Sequence, residues 1–207
     1  MSRSSNTSAA DDSLGGGPST RERLLRAVID IAGREGVHMV THRSVAARAD
    51  VTHGLVRHYF GTRQAMLAEA LHVAVGEDIN DVRLVTGDVD TFAEGLASPN
   101  EEVWSRRALQ FELALNGIRG TVDVALARES YNGYLAEIGK TLAALGIEDP
   151  DGSWEAVFFA MLDGLVLQHG VFDSTLRTEA ALERVRDLLR FLSTSSRTSA
   201  TGHPTGT

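Results

Sequence analysis

The stretch VTHGLVRHYF, residues 51–60, places His53, Arg57 and His58 among small and apolar residues. A guanidinium can donate two parallel hydrogen bonds to a phosphate or to the O6 and N7 of guanine, and the imidazoles extend the set. Gly54 removes a side chain where a helix backbone would approach a sugar-phosphate wall. Thr41 and Thr52 offer hydroxyls and unpaired amides at helix starts, which favour an anion. Arg43, Ser44 and Arg63 flank them as expected phosphate contacts, leaving His53, Arg57 and His58 as the expected base readers. Tyr59, beside them, completes the candidate set, whose chemistry suits double-stranded DNA.

The distribution of charge agrees. The 207-residue chain has a formal net charge of −8. Residues 1–64 nevertheless hold nine Arg and no Lys against six Asp and Glu, while residues 65–207 hold eleven basic and twenty-two acidic residues. A locally basic segment on an acidic protein is a footprint for a polyanion, and the acidic remainder discourages indiscriminate binding. The competing reading of the arginines is a solvated surface.

Helices must position these donors. In TRERLLRAVIDIAGREG, residues 20–36, Leu24, Val28, Ile31 and Ala32 share one face, with Thr20 expected as the N-cap and Gly36 as a left-handed C-terminal residue. Thr41 precedes HRSVAARA, whose Val45, Ala46 and Ala49 can turn inward. Thr52 precedes HGLVRHYF, whose Leu55, Val56 and Tyr59 can do the same. Two short helices a few residues apart predict a helix-turn-helix. Further helices are expected from near Thr62 to Val82, from Trp104, from Val124, from Trp154 to about His169, and from Leu182. The 154–169 segment is apolar nearly all round, which calls for burial on more than one side, by its own core and by a partner subunit. Clean strand alternation is lacking.

The expected fold class is therefore all-α. A three-helix DNA-binding head with a helix-turn-helix occupies 19–64, and a helical ligand-binding and dimerisation domain occupies 65–192. The flanking 1–18 and 193–207 are too poor in apolar residues to order and are expected as tails.

Composition narrows the classes further. Hydrophobic residues make up 43% and charged residues 23%, as in ordinary globular protein. Without cysteine there are no disulfides or thiolate metal sites, which suits a reducing cytosol. No run reaches the ~18 apolar residues of a membrane span, and residues 1–20 lack the apolar core of a secretory signal. A cytoplasmic location and no membrane partner are expected. His38, His42, His53 and His58 lack the spacing of a zinc motif, and EDPDGSW at 148–154 reads as a turn rather than a calcium loop, so neither metal nor cofactor is expected.

The run THRSVAARADVTHGLVRHYFGTRQAML resembles the DNA-binding signature of the TetR family of bacterial transcriptional regulators. In that signature a threonine opens the second helix, a short turn follows, and a Gly, an aromatic pair ending in Phe and a Lys complete the motif. The resemblance spans Arg21 to Leu71; beyond it, Asp163-Gly164-Leu165 looks like the family's penultimate helix. Three positions depart from the pattern: Asp50 replaces a frequent Gly, Arg57 a frequent Tyr, and Arg63 the Lys. Asp tolerates a left-handed turn, Arg57 turns an expected phosphate contact into a base reader, and Arg63 keeps the charge.

The resemblance implies a homodimer that binds a palindromic operator, usually as a repressor, and is released by a small-molecule effector. Trp104, Phe111, Tyr131, Tyr134, Phe158, Met161 and Gln168 are the candidate ligand contacts, plain core being the competing reading of the aromatics. Because Arg106, Arg107, Arg119, Arg128 and Lys140 show no convergence, the expected ligand is uncharged or weakly polar. A regulator gated by a protein partner without a small molecule is the alternative. An enzyme is not expected, since Asp163 and Glu112, the candidate acids, have no evident partners.

Overall fold

The computed structural model describes residues 17–98 and 100–201. Among them every regular element is helical. In chain order these are α1 (Thr20–Glu35), a 3-10 turn (Val37–Met39), α2 (His42–Ala49), α3 (His53–Phe60), α4 (Arg63–Asp81), a second 3-10 turn (Val89–Thr91), α5 (Glu101–Ile118), α6 (Val124–Ala144), α7 (Ser153–Phe172) and α8 (Thr175–Thr201).

The first four helices start at short polar side chains, as their sequences predict. Thr41, Thr52 and Thr62 each accept from the backbone amide three residues on. For α1 the cap is Ser19, one residue before the expected Thr20: its hydroxyl accepts from Glu22 N, and the Glu22 carboxylate accepts from Ser19 N at 2.7 Å. Gly36 (φ 98°) ends α1, and Asp50 ends α2 in the left-handed conformation (φ 54°, ψ 53°) expected for it.

One apolar cluster runs from Leu24 in α1 to Leu189 in α8 without a break between head and body. Helix α1 lies at its centre, packed by α2, α4 and α5, so that Leu25, Ala27 and Ile29 are buried beside the expected stripe. The α1–α5 crossing is close because Gly33 has no Cβ; one built there would overlap Ser105. Ion pairs tie the same elements: Arg26 grips Glu77 of α4 with both nitrogens and reaches Glu102 of α5 at 2.9 Å.

Three expectations change in the body. Helix α5 begins three residues before Trp104, because Asn100 caps it through Glu102 N. Helix α8 begins seven residues before Leu182 and continues through 193–201, where a tail was expected. Ser193, buried, donates to Leu145 O at the end of α6 at 2.8 Å, and Thr194 and Ser196 donate to carbonyls four residues back. Of the expected amino-terminal tail, residues 1–16 lie outside the described residues.

On helix α7 Phe158, Leu162 and His169 are buried, while Trp154, Phe159, Met161, Leu165 and Val166 are only partly buried against the core. By length and composition it is apolar enough to cross a membrane, with mean hydropathy 1.3. Here Val171 is left 71% exposed at its end, and Leu176 and Phe191 of α8 are 84% and 65% exposed. The burial on several sides expected for α7 is thus not supplied within the protomer.

Candidate functional site

Helix α3 separates two faces. Val56 and Phe60 are buried and Leu55 and Tyr59 half-buried, while His53, Gly54, Arg57 and His58 are exposed. Phe60, absent from the expected packing set, takes part of the role given to Tyr59; the Arg21 guanidinium lies 5.6 Å over its ring. A Cβ on Gly54 would meet nothing within 4 Å, so the outer wall of α3 is open to a ligand surface.

The arginines divide sharply. Arg21, Arg26, Arg34 and Arg48 are ion-paired with carboxylates, and Arg23 donates to Ala49 O at 2.7 Å. Arg63 donates from Nε to Val40 O and from Nη2 to Val37 O, both at 2.6 Å. It is therefore turned into the head, holding the turn that precedes α2, rather than out toward a phosphate as its charge suggested. Within 17–64 this leaves Arg43 and Arg57 exposed and without a hydrogen bond or ion pair. The broad basic patch of the sequence contracts to two free guanidinia, one on each helix of the helix-turn-helix, with His53 and His58 beside the second.

Thr41 and Ser44 are already engaged with each other. Thr41 N donates to Ser44 Oγ at 2.9 Å, Ser44 N to Thr41 Oγ1 at 3.0 Å, and Ser44 Oγ to Met39 O at 2.8 Å. They fix the start of α2, and the Thr41 side chain is still exposed. Thr52 makes only a long cap, 3.4 Å to Leu55 N, so its hydroxyl is the less committed of the two. The rings of His42 and His53, at the starts of α2 and α3, meet edge to face at 5.9 Å.

A second site lies in the body, where α4, α5, α6 and α7 enclose a cavity of about 50 Å³. Of the expected ligand contacts it brings together Phe111, Tyr131 and Tyr134. The other four lie elsewhere for distinct reasons. Phe158 is fully buried against Phe92 and Trp154, and Met161 packs half-buried against the core. Trp104 fills the space left by Gly170 at the far end of α7, and Gln168 is exposed beside Arg177.

The lining holds polar groups that the sequence-based set missed. Arg107 Nε donates to Asp78 Oδ1 at 2.9 Å and Nη1 to Leu96 O at 2.7 Å, with both side chains of the pair buried. The Tyr134 hydroxyl lies 2.9 Å from Asp78 Oδ2 and 2.8 Å from the Gln110 amide. A phenol has one proton; donated to the carboxylate, it requires Gln110 to present its NH2 group. Burial first, then the charge of Asp78, pushes the Tyr134 phenol far above its ordinary pKa, so it stays a donor. Arg107 Nη2 has no partner. Asp78 was foreseeable, because it extends the buried stripe Leu67, Leu71, Ala74, Val75 by one more helical step, and a carboxylate there needs a partner.

Comparison with known proteins follows this geometry. Residues 24–70 match the family model for bacterial regulatory proteins of the tetR family. No curated protein matches the chain in sequence. Among solved structures, a transcriptional regulator from Rhodococcus sp. Rha1 is similar at 22% identity, covering 86% of this chain and 97% of that one, with a TM-score of 0.67. A member of the TetR family from Streptomyces coelicolor A3 is 24% identical over 83% and 98% of the two chains, with a TM-score of 0.65. The multidrug binding protein EbrR, solved with imidazole, is 26% identical over 84% and 96%, with a TM-score of 0.59. Residues 24–70 therefore belong to the tetR family of bacterial regulatory proteins, and the chain as a whole has the fold of that family's transcriptional regulators.

Proposed function

We propose that this regulator is a repressor that binds a palindromic operator as a homodimer in the cytoplasm and is released by a small molecule held in the body. The observation that carries operator binding is the outer face of α3, where Arg57 is exposed and unpaired while nearly every other arginine of the head is engaged. Arg57, His53 and His58 read bases, and Arg43 with the Thr41 and Thr52 starts contacts phosphates. Arg57→Ala is expected to leave the fold intact, to cost ~1–3 kcal/mol on the parent's preferred site, and to relax one base position per half-site. Selection from a randomised duplex pool, followed by titration of the selected site, measures both. An unchanged selected motif refutes the assignment.

Dimerisation through α7 and α8 is supported by Leu167, Val171, Phe172, Leu176 and Phe191, large apolar side chains left exposed on these two helices. The occupant of this face is a second copy, related by a two-fold axis that sets the heads about 34–36 Å apart for adjacent major grooves. Sedimentation at micromolar concentration should give a dimer, and Leu176→Asp should shift it toward the monomer. A parent that sediments as a monomer refutes this interface.

Ligand control is supported by the cavity's donors and by the likeness to EbrR, a multidrug binding protein. Helix α4 joins the two sites: Arg63 at its start holds the head's carbonyls, and Asp78 near its end faces the cavity. A ligand that displaces Asp78 moves the heads, and by linkage DNA and ligand weaken each other equally. The small volume favours a second reading, in which a protein partner gates the regulator, since ligand sites are typically ~300–1,000 Å³. Of the two candidate acids of the enzymatic alternative, Glu112 is engaged by Val37 N at 2.6 Å.

A further inference from the structure

We infer that the cleft where α1, α5 and α7 meet is a small-molecule site in its own right, and that it takes a compact aliphatic amine in its ammonium form. The N–H groups of that ammonium go to His169 Nε2, Ser105 Oγ and the Asp173 carboxylate. The site is separate from the cavity among α4, α5, α6 and α7, and the inference stands whether or not that cavity holds a ligand.

The cleft exists because glycines let its walls close on α5 from both sides. Gly33 brings α1 onto Ser105, and Gly170 brings α7 onto the Trp104 ring; a Cβ at either position would overlap its neighbour. The space left between them is about 320 Å³, against about 50 Å³ for the cavity in the body. That is within the ~300–1,000 Å³ usual for ligand sites. Trp104, expected as a ligand contact and absent from the cavity, is a wall of this cleft instead and offers its ring to a hydrocarbon body.

His169 is the group that calls for a ligand. It lines the cleft, is only 7% exposed, and has Nδ1 2.9 Å from Thr178 Oγ1. The one proton of that hydroxyl goes to Ser174 O at 3.1 Å. Thr178 therefore accepts from the ring, which puts the proton of a neutral imidazole on Nδ1 and leaves Nε2 as a bare acceptor. Nε2 has no partner among the described residues. The hydroxyl of Ser105, a residue 6% exposed, has none either. Buried polar groups in this condition want a donor.

The charges select a cation. Of the charged groups that line the cleft, Arg34 is held by Asp30 at 2.6 Å and by the lining Glu101 at 2.8 Å. Asp173, which ends α7 with φ 46°, has a carboxylate with no hydrogen bond or ion pair among the described residues. The cleft thus presents two unfilled polar groups and one unbalanced negative charge. An ammonium, with donors and no acceptor, suits all three, and an anion suits none.

The test uses cyclohexylamine, with cyclohexanol and cyclohexanecarboxylate as its neutral and anionic counterparts, at about pH 8, where such an amine is protonated and an ordinary imidazole is neutral. Each is titrated into the otherwise full chain carrying Trp154→Phe, in which Trp104 is the one remaining indole. The amine is expected to change the Trp104 emission saturably in the millimolar range, as suits so small a molecule, and at least about tenfold more tightly than either counterpart. Asp173→Asn should bring the amine to the level of the alcohol. A long-range proton–nitrogen spectrum of the imidazoles reads the contact separately: the signal lost in His169→Gln should be an Nδ1–H tautomer, and its Nε2 resonance should move when the amine is added. Should His169→Gln fail to fold, Ser105→Ala, which removes only an unbonded hydroxyl, should weaken the amine severalfold at an unchanged unfolding temperature. Absence of saturation, binding of the alcohol or the carboxylate as tight as that of the amine, or an indole response with every imidazole nitrogen unmoved overturns the inference.

Discussion

Arg107→Ala is expected to lower the unfolding free energy by roughly 3–5 kcal/mol, the usual cost of leaving one member of a buried ion pair without its partner. The Arg107 and Asp78 side chains are 3% and 9% exposed, so water screens them little. Removing the guanidinium strands Asp78 beside a Tyr134 hydroxyl that can satisfy only one of its oxygens. It also frees Leu96 O, to which Arg107 Nη1 donates, loosening the segment that links α4 to α5. Asp78→Ala should be comparably severe, because a buried guanidinium whose Nη2 already lacks a partner would lose its carboxylate as well. The double variant Arg107→Met with Asp78→Leu removes both charges and should recover much of the loss. Urea unfolding followed by circular dichroism distinguishes these cases. A loss below about 1 kcal/mol for Arg107→Ala would show that water reaches the pair and that the latch is weak.

The contrast between this pair and the head shows where sequence reading succeeds. Helices α1 to α4 are bounded by local signals, a capping hydroxyl before each and Gly36, Asp50 or Gly61 after the first three, and such signals act over a few residues. The two faces of α3 follow from 3.6-residue periodicity alone. Side-chain partners of Arg21, Arg26 and Arg63, by contrast, stand 48, 51 and 23 or more residues away in sequence. Nothing local says which arginine is committed and which is free. The same holds in the body. Aromatic type and helical spacing singled out Phe111, Tyr131 and Tyr134, which line the cavity, but could not separate them from Trp104 and Phe158, whose places depend on Gly170 and on the Phe92 segment. Asp163, set aside in the sequence as a candidate acid without a partner, is met in the structure by the Tyr131 hydroxyl, from a helix about thirty residues earlier in the chain.

Helix α4 is where the two kinds of information meet. Its fifteen-residue reach from Arg63 to Asp78 makes a rod of roughly 22 Å at 1.5 Å per residue. Buried Met66, Leu67, Ala70 and Leu71 pack it against the head, and Ala74, Val75 and Asp78 carry it into the body. Arg26 and the buried Arg106 share Glu77 on its flank, so α1 and α5 also pull on the same turn.

The Arg63 end of the rod yields the second large effect. Arg63→Ala is expected to destabilise the head by about 2–4 kcal/mol, since it removes two hydrogen bonds from a charged donor to carbonyls, each worth about 1.5–3 kcal/mol before relaxation. Affinity for DNA should fall with it, because Val37 O and Val40 O belong to the turn that aims α2. The salt dependence separates this role from a phosphate contact. Every phosphate neutralised contributes about −0.9 to the slope of log K against log salt concentration, whatever the base sequence. On a random-sequence duplex, Arg43→Ala should therefore make the slope shallower by about one, whereas Arg63→Ala should weaken binding at every salt concentration and leave the slope unchanged. Arg63→Lys sharpens the comparison: an ammonium keeps the charge but has no planar fork to span two carbonyls, so it should resemble Arg63→Ala in stability. If Arg63→Ala instead lowers the slope as Arg43→Ala does, the side chain leaves its carbonyls for a phosphate when DNA binds. Arg63 at the start of α4 would then be a contact rather than an anchor.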